Sequence, residues 1–218
     1  MERINQKVKL MKIYVGTSGF SYAWNPNGLE WYIQNSGLNS LELNSSFYRF
    51  PFPNQVKSWI AKTKKLNPKL RWSIKVNRLI THVFKFNKRA FELWKRFEGL
   101  FKPLAEHIDF YLFQLPPAMK STFFQKLENF IKKTRLKEKF ALEVRNVDWF
   151  KKEWIDWASR LGITWVSIDS PDFPLDVYNT NGIVYERMHG RYIWYSHNYT
   201  NEEMLEIIKK IKNAKPKK

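Results

Sequence analysis

The chain has 218 residues, with 38 lysines and arginines against 20 aspartates and glutamates, which gives a net charge of +18. It contains no cysteine, which excludes disulfides, thiolate metal sites and cysteine nucleophiles. The length predicts one domain over residues 1–218, with a loosely held N-terminal extension at 1–11 and a basic tail at 212–218. No apolar run resembles a membrane span or a signal peptide, so we expect a soluble, cytoplasmic protein that makes no membrane contact.

Seven short runs rich in β-branched and aromatic residues predict strands along the chain. They are Lys12–Gly16, Ser40–Asn44, Arg71–Val76, Phe110–Leu115, Phe140–Arg145, Thr164–Asp169 and Val184–His189.

Helical spacing of apolar residues fills most of the intervals between these strands. The predicted helices are Glu30–Ser36, Asn54–Lys64 with Asn54 as its cap, Arg89–Phe101, Thr122–Thr134, Lys152–Leu161 with Gly162 as its C-cap, and a last helix opened by the capping box Thr200–Glu203. In the last helix Met204, Leu205, Ile208 and Ile211 are predicted to face inward. The lysines that follow this helix are predicted to form a solvated, frayed end.

Strands that alternate with helices predict an α/β fold with a parallel sheet. The first strand lacks a glycine-rich phosphate fingerprint, which disfavours a doubly wound dinucleotide-binding sheet. We therefore predict a TIM-type (β/α) barrel. Seven strands are counted where such barrels usually have eight, so the barrel is predicted to be open or incomplete.

Polar residues recur two apart near the C-terminal ends of the predicted strands. There are four such pairs, and two single residues at other strand ends complete the set. The pairs are Glu42/Asn44, Lys75/Asn77, Glu143/Arg145 and Arg187/His189, and the single residues are Gln114 and Asp169. Because alternate residues of a strand share a face, and barrel sites form at the C-terminal mouth, we expect these side chains to converge there. The alternative is that these charges neutralise one another as a salt-bridged plug.

The predicted mouth suits acid/base chemistry on an anionic ligand. Glu42, Glu143, Asp169 and His189 are the candidate catalytic groups, and Lys75, Arg145 and Arg187 are the candidate anion-binding groups. We predict no cofactor. A divalent metal is disfavoured, because metal sites favour more histidines or carboxylates and fewer cations, and no HxH or HExxH spacing occurs.

Several sequence blocks are together similar to the YecE-like family, a domain of unknown function (number 72). They include Gly16–Tyr22 with Trp24, Glu42–Arg49 with Pro51, Lys75 with Arg78–His82, Phe113–Pro117, Glu143–Arg145 with Trp149, Asp169–Pro171 and Arg187–Gly190. The resemblance runs from about Lys12 to the last helix and implies a TIM-type barrel, similar in outline to xylose isomerase and endonuclease IV. It implies no established activity. It adds His82 to the candidate substrate-binding residues.

The chain departs from the family pattern at two places. Asn146 stands where the family usually has a histidine, and the family's further strand after the last helix would begin where this chain stops, at Lys218. An open edge between the first and seventh strands would then be covered by residues 1–9, by a partner subunit in an oligomer, or by further chain.

Aromatic residues follow the first two predicted strands, among them Phe20, Tyr22, Trp24, Phe47 and Tyr48. Either they roof the barrel core or they provide a stacking platform for bases or sugars, and Tyr48 is counted among the candidate substrate-binding residues.

Two function hypotheses follow. The first is an enzyme, a hydrolase, lyase or isomerase, that acts at the mouth on a phosphate-bearing or nucleic-acid substrate. The second is a non-catalytic DNA- or RNA-binding protein that uses its positive charge. A third outcome is a barrel whose site is vestigial.

Overall fold

The structure, a computed structural model, describes residues 11–218. The predicted loose extension at 1–11 therefore lies outside the described residues, apart from Met11. Within residues 11–218 no helix combines the length and apolar character that crossing a bilayer requires.

In the part of the chain from residue 11 to 218, seven parallel strands form one curled sheet in which the strand order follows the chain. They are β1 (Gly16–Thr17), β2 (Ser40–Leu43), β3 (Arg71–Lys75), β4 (Ile108–Gln114), β5 (Phe140–Glu143), β6 (Thr164–Asp169) and β7 (Tyr185–Met188). The predicted α/β fold, a TIM-type barrel with seven strands and an open side, is confirmed. At the first strand pair a Cβ on Gly16 would lie 2.3 Å from the Ser40 carbonyl oxygen, so only glycine permits this approach.

Six α-helices of the described residues cover the outside of the sheet. They are α1 (Gly28–Asn35), α2 (Pro53–Leu66), α3 (Lys88–Phe101), α4 (Phe124–Thr134), α5 (Lys152–Leu161) and α6 (Asn201–Asn213). In α3 the Asn87 side chain caps the first turn by accepting from the Ala90 N–H at 2.9 Å, and Trp94, Phe97 and Phe101 are buried at helical spacing.

The two faces of each strand pack against different cores. Large rings such as Trp72, Phe113 and Trp165 belong to the main core between the sheet and the helices. Inside the barrel a small cluster of Leu112, Ala141 and Val166 fills the interior. The strand alternation therefore fixes which side chains reach the polar mouth.

Two local predictions about helices are wrong. Asn54 does not cap α2, because Pro53 already occupies the first turn and the Gln55 side chain accepts from the Phe52 N–H at 2.9 Å.

In α6 the buried residue is Ile207, whereas three residues predicted to face inward, Met204, Leu205 and Ile208, are 39%, 64% and 42% exposed. The capping box of Thr200 and Glu203 is confirmed. The apolar stripe of α6 is wider than the surface available to bury it.

The basic end of the chain is ordered against the sheet, which corrects the prediction of a solvated, frayed end. The Lys217 carbonyl accepts from the Lys12 N–H, and the Lys218 carbonyl accepts from the Val184 N–H, both at 3.0 Å. The Lys218 ammonium lies 2.7 Å from Asp109. The last two residues therefore lie between the start of β7 and the segment before β1, on the open side of the barrel.

Candidate functional site

A buried layer of charged side chains crosses the barrel interior at the C-terminal ends of the strands. Glu42 on β2, Lys75 on β3 and Arg187 on β7 are 7%, 8% and 6% exposed, and Glu143 on β5 is fully buried. Arg145 and His189, just beyond β5 and β7, are also buried. The structure thus brings together six of the predicted site residues, because each lies on the inward face of its strand or directly after it. These six residues form the inner cluster.

Arg187 connects three strands through one guanidinium group. Its Nε and Nη2 donate to the two carboxylate oxygens of Glu42 at 2.9 and 2.6 Å, and its Nη1 donates to Glu143. Tyr185, also on β7, places its hydroxyl 2.7 Å from Glu42 and 2.8 Å from Ser73. These contacts join β7 to β2 and β3 across the open side of the barrel.

Glu143 is the carboxylate that both inner guanidinium groups share. Arg187 and Arg145 each donate to it, on different oxygens. Burial alone would raise the pKa of Glu143, but the two arginines outweigh burial and lower that pKa to about 2. Glu143 is therefore a fully ionised, paired carboxylate at neutral pH.

His189 is held in its neutral form by two arginines. Its Nε2 lies 3.0 Å from Arg145 Nη2 and 3.0 Å from Arg187 Nη1. Because guanidinium groups only donate hydrogen bonds, Nε2 is the acceptor and the ring proton belongs on Nδ1. Burial, followed by the charge of Arg187, lowers the pKa of His189 to about 3.

Lys75 is the one member of the inner cluster with no ion pair or hydrogen bond to its ammonium group within residues 11–218. Its Nζ lies 4.6 Å from the centre of the Phe47 ring, in a cation–π contact. Burial, followed by repulsion from Arg187, lowers the pKa of Lys75 to about 8, although Glu143 and Glu42 act in the opposite direction. Both carboxylates already form ion pairs with arginines.

The inner cluster carries an excess of positive charge. Three cations, Lys75, Arg145 and Arg187, face two carboxylates, Glu42 and Glu143, so the net charge is +1 with His189 neutral. Within the described residues no group of three or more histidine, aspartate or glutamate side chains is placed to hold a metal ion. The excess charge favours an anionic ligand over a cation.

Asp169 does not join the inner cluster. Val166 of the same strand faces the barrel interior, so Asp169, three residues later, faces the other side of the sheet. There it accepts from Arg191 Nη2 at 2.8 Å and from the Tyr199 hydroxyl at 2.9 Å. The structure thus separates Asp169 from the other candidate catalytic residues.

Asn44 and Gln114 each present a buried side-chain oxygen that has no hydrogen-bond partner in residues 11–218. Gln114 ends β4 two positions after the inward-facing Leu112, and Asn44 directly follows β2 at the same end of the sheet. An unsatisfied buried acceptor is energetically costly, and a donor on a ligand would satisfy it.

Tyr48 and His82 lie at the rim, on either side of Phe47. Tyr48 is 68% exposed, and the Phe47 ring stands edge-on to both side chains at 5.1 Å between ring centres. His82 Nδ1 lies 2.8 Å from the Thr81 hydroxyl, and burial followed by Arg78 lowers the pKa of His82 to about 4.

Sequence reasoning missed Tyr185 and Trp194. Tyr185 precedes Arg187 by two positions, so the same alternation that identified Arg187 could have identified it. Trp194 lies in the loop after β7. The centre of its ring is 4.9 Å from the guanidinium carbon of Arg145 and 5.6 Å from the centre of the His189 ring. No strand periodicity extends into that loop, so nothing in the pattern marked Trp194.

Acidification is expected to destabilise the fold through His189. Its ordinary pKa is 6.5, but in the folded protein the pKa is about 3, so below pH 6.5 the unfolded chain binds a proton that the folded chain does not. The contribution is therefore fully present above about pH 6.5 and decreases as the pH falls towards 3. Urea unfolding at pH 7.5 and 5.0 measures the change. Between these two pH values the free energy of unfolding should decrease less in His189→Gln than in the wild type, and equal decreases in both would contradict this assignment.

The comparisons with known proteins agree with this architecture. The family model described as protein of unknown function DUF72 matches residues 14–218. The crystal structure of a DUF72 family protein from Thermotoga maritima MSB8 is 26% identical, with a TM-score of 0.68, over 92% of this chain and 86% of that chain.

A DUF72 family protein from Enterococcus faecalis V583 is 19% identical, with a TM-score of 0.72, over 93% of this chain and 84% of that chain, and this likeness concerns the fold alone. No curated protein matches the chain. The family model spans nearly the whole sequence, and the chain therefore belongs to the DUF72 family.

Proposed function

We propose that the protein is an enzyme that binds a phosphate-bearing substrate at the barrel mouth and acts on it by acid/base chemistry. The observation that carries the proposal is Lys75, a lysine that is only 8% exposed and whose ammonium group pairs with no carboxylate of residues 11–218. A buried cation without a counter-ion is costly. A phosphate group placed beside Lys75 would supply that counter-ion.

The other unsatisfied groups of the mouth indicate which hydrogen-bonding groups the ligand should carry. Asn44 and Gln114 offer buried oxygens that need donors. Hydroxyl groups of a sugar are donors of this kind. A phosphorylated sugar or a nucleotide would therefore complement both the charge and the hydrogen-bonding needs of the mouth.

Lys75 is also the best-supported proton-transfer group. Glu143, with a pKa of about 2, is a weak base, and Nε2 of His189 already accepts from two arginines. Glu42 is bound by Arg187 through both oxygens. The pKa of Lys75, at about 8, lies closer to neutral pH, where general acid/base catalysis is most effective.

Calorimetric titration with sulfate tests the proposal, because the charge of sulfate is constant between pH 6 and 10. We expect Lys75→Met to weaken sulfate binding at least tenfold, whereas Lys152→Met, at a side chain 85% exposed, should have no effect. Wild-type affinity should fall as the pH rises above about 8, since Lys75 then loses its charge.

Equal sulfate affinity in wild type and Lys75→Met would overturn the binding half of the proposal. Absence of turnover on sugar phosphates, nucleotides and abasic DNA would remove the support for the catalytic half.

A second candidate function, non-catalytic nucleic-acid binding, is favoured by two observations. The net charge is +18, and Tyr48, Tyr192 and Tyr195 are 68%, 70% and 75% exposed in the loops after β2 and β7. This function predicts that single-stranded DNA binding weakens steeply with salt and is unaffected by Lys75→Met. Fluorescence anisotropy between 50 and 300 mM salt measures both; an affinity independent of salt would exclude it.

A further inference from the structure

Lys75 combines three properties that rarely occur together in a lysine side chain. It is 8% exposed, its ammonium lacks any ion pair within the described residues, and it lies at the C-terminal end of a barrel strand, where barrel sites are built. Most lysines of a basic protein are solvated and protonated at neutral pH, so they are poor nucleophiles. Lys75 differs from them in its surroundings.

We propose that Lys75 is a covalent nucleophile that forms an imine with the carbonyl carbon of a phosphorylated aldehyde or ketone bound at the mouth. The proposal deepens the proposed function, on which it rests for the site and for the anionic group. It adds a reactive carbonyl to the description of the substrate.

The chemistry balances without any further reactant. The ammonium first releases one proton, and the lone pair of the neutral amine then attacks the carbonyl carbon. The nitrogen passes one proton to the former carbonyl oxygen, which gives a neutral carbinolamine. The hydroxyl group takes up the proton that the ammonium released and leaves as water, while the carbon–nitrogen double bond forms. No oxidant or reductant is needed, and hydrolysis with one water reverses the step. The protonated imine keeps the single positive charge that the ammonium had.

The surroundings of Lys75 contain some groups that favour the free amine and others that favour the protonated imine. The centre of the Phe47 ring lies 4.6 Å from Lys75 Nζ, where its face stabilises a cation. Arg187 and Arg145 disfavour the ammonium, and Glu42 and Glu143 favour a cation at the same position. The charged and titratable groups around Lys75 are Glu42 from β2, His82 after β3, Glu143 and Arg145 from the end of β5, and Arg187 and His189 from the end of β7.

Neither of the two histidines near Lys75 carries a positive charge near neutral pH. The pKa values of His82 and His189 are lowered to about 4 and about 3, so both rings are neutral. The pKa of Lys75 is lowered to about 8. A larger fraction of Lys75 is therefore neutral at pH 7.5 than of an exposed lysine, whose ordinary pKa is about 10.4.

Pyridoxal 5′-phosphate is a suitable probe, because it carries an aldehyde and a phosphate and its imine absorbs visible light. The native protein is incubated with less than one equivalent, reduced with borohydride, digested and mapped by mass spectrometry. We expect the reduced adduct mainly on Lys75, at least tenfold above the average of the other lysines. Pyridoxal, which lacks the phosphate, should label Lys75 more weakly.

Lys75→Arg removes the primary amine that the imine requires and leaves a positive charge at the position. We expect this variant to lose the adduct, and the exposed control Lys152→Arg to keep both the adduct on Lys75 and sulfate binding. Adducts spread over surface lysines in the wild type, with sulfate still bound, would overturn the imine proposal alone. Loss of sulfate binding in the folded Lys75→Met variant leaves the proposed function supported, whichever lysine is labelled.

Discussion

Replacing Arg187 by methionine is expected to lower the free energy of unfolding by about 3–5 kcal/mol, because it leaves buried carboxylates without their partner. Arg187 is 6% exposed and binds both Glu42 and Glu143, so one substitution removes the ionic connection between β7 and strands β2 and β5. Urea unfolding at pH 7.5 measures the change.

The matched control is Lys152→Met. Lys152 pairs with Asp156 across one turn of α5, and its side chain is 85% exposed, so its removal should cost less than about 1 kcal/mol. The double variant with Glu42→Gln should recover part of the loss, since the second change removes one of the unpaired charges. A loss for Arg187→Met no larger than that of the control would contradict the role of Arg187.

Replacing Glu143 by glutamine is expected to have opposite effects on stability and on anion binding. The fully buried carboxylate pairs with Arg145 and Arg187, so its loss should lower the free energy of unfolding by about 3 kcal/mol. The net charge of the inner cluster would rise from +1 to +2. Sulfate should therefore bind the variant at least as tightly as the wild type.

Thermal unfolding with and without sulfate at pH 6.5 measures both effects, since a ligand that binds only the folded state raises the melting temperature. Added sulfate should stabilise Glu143→Gln by more degrees than it stabilises the wild type. A variant that folds but gains nothing from sulfate would show that the mouth is a self-neutralised plug.

The sequence allowed the barrel and most of its mouth to be predicted because both depend on short-range periodicity. Thr164–Asp169 is predicted with its observed bounds, and Glu42, Arg187 and His189 come together inside the barrel as expected. Alternation along a strand states which residues share a face. It does not state whether that face is the interior or the helix side, which is why Asp169 was assigned to the mouth.

The remaining errors concern contacts between distant segments. The apolar stripe of α6 was predicted to face inward, but Leu205 is 64% exposed, because burial depends on what packs against the helix. Lys217 and Lys218 were predicted to be solvated, yet their backbone groups bind segments about 205 and 34 residues away in sequence, at Lys12 and Val184. The pairing of Glu143 with two arginines, which leaves Lys75 without a carboxylate, likewise depends on geometry that no sequence spacing encodes.

Crystals grown in sulfate test the central claim, that the uncompensated charge of Lys75 makes the mouth an anion site. We predict electron density for one sulfate within hydrogen-bonding distance of Lys75 Nζ, absent from crystals of Lys75→Met grown in the same solution. Water alone beside Lys75 in the wild type, or a metal ion bound by Glu42 and Glu143, would contradict the claim.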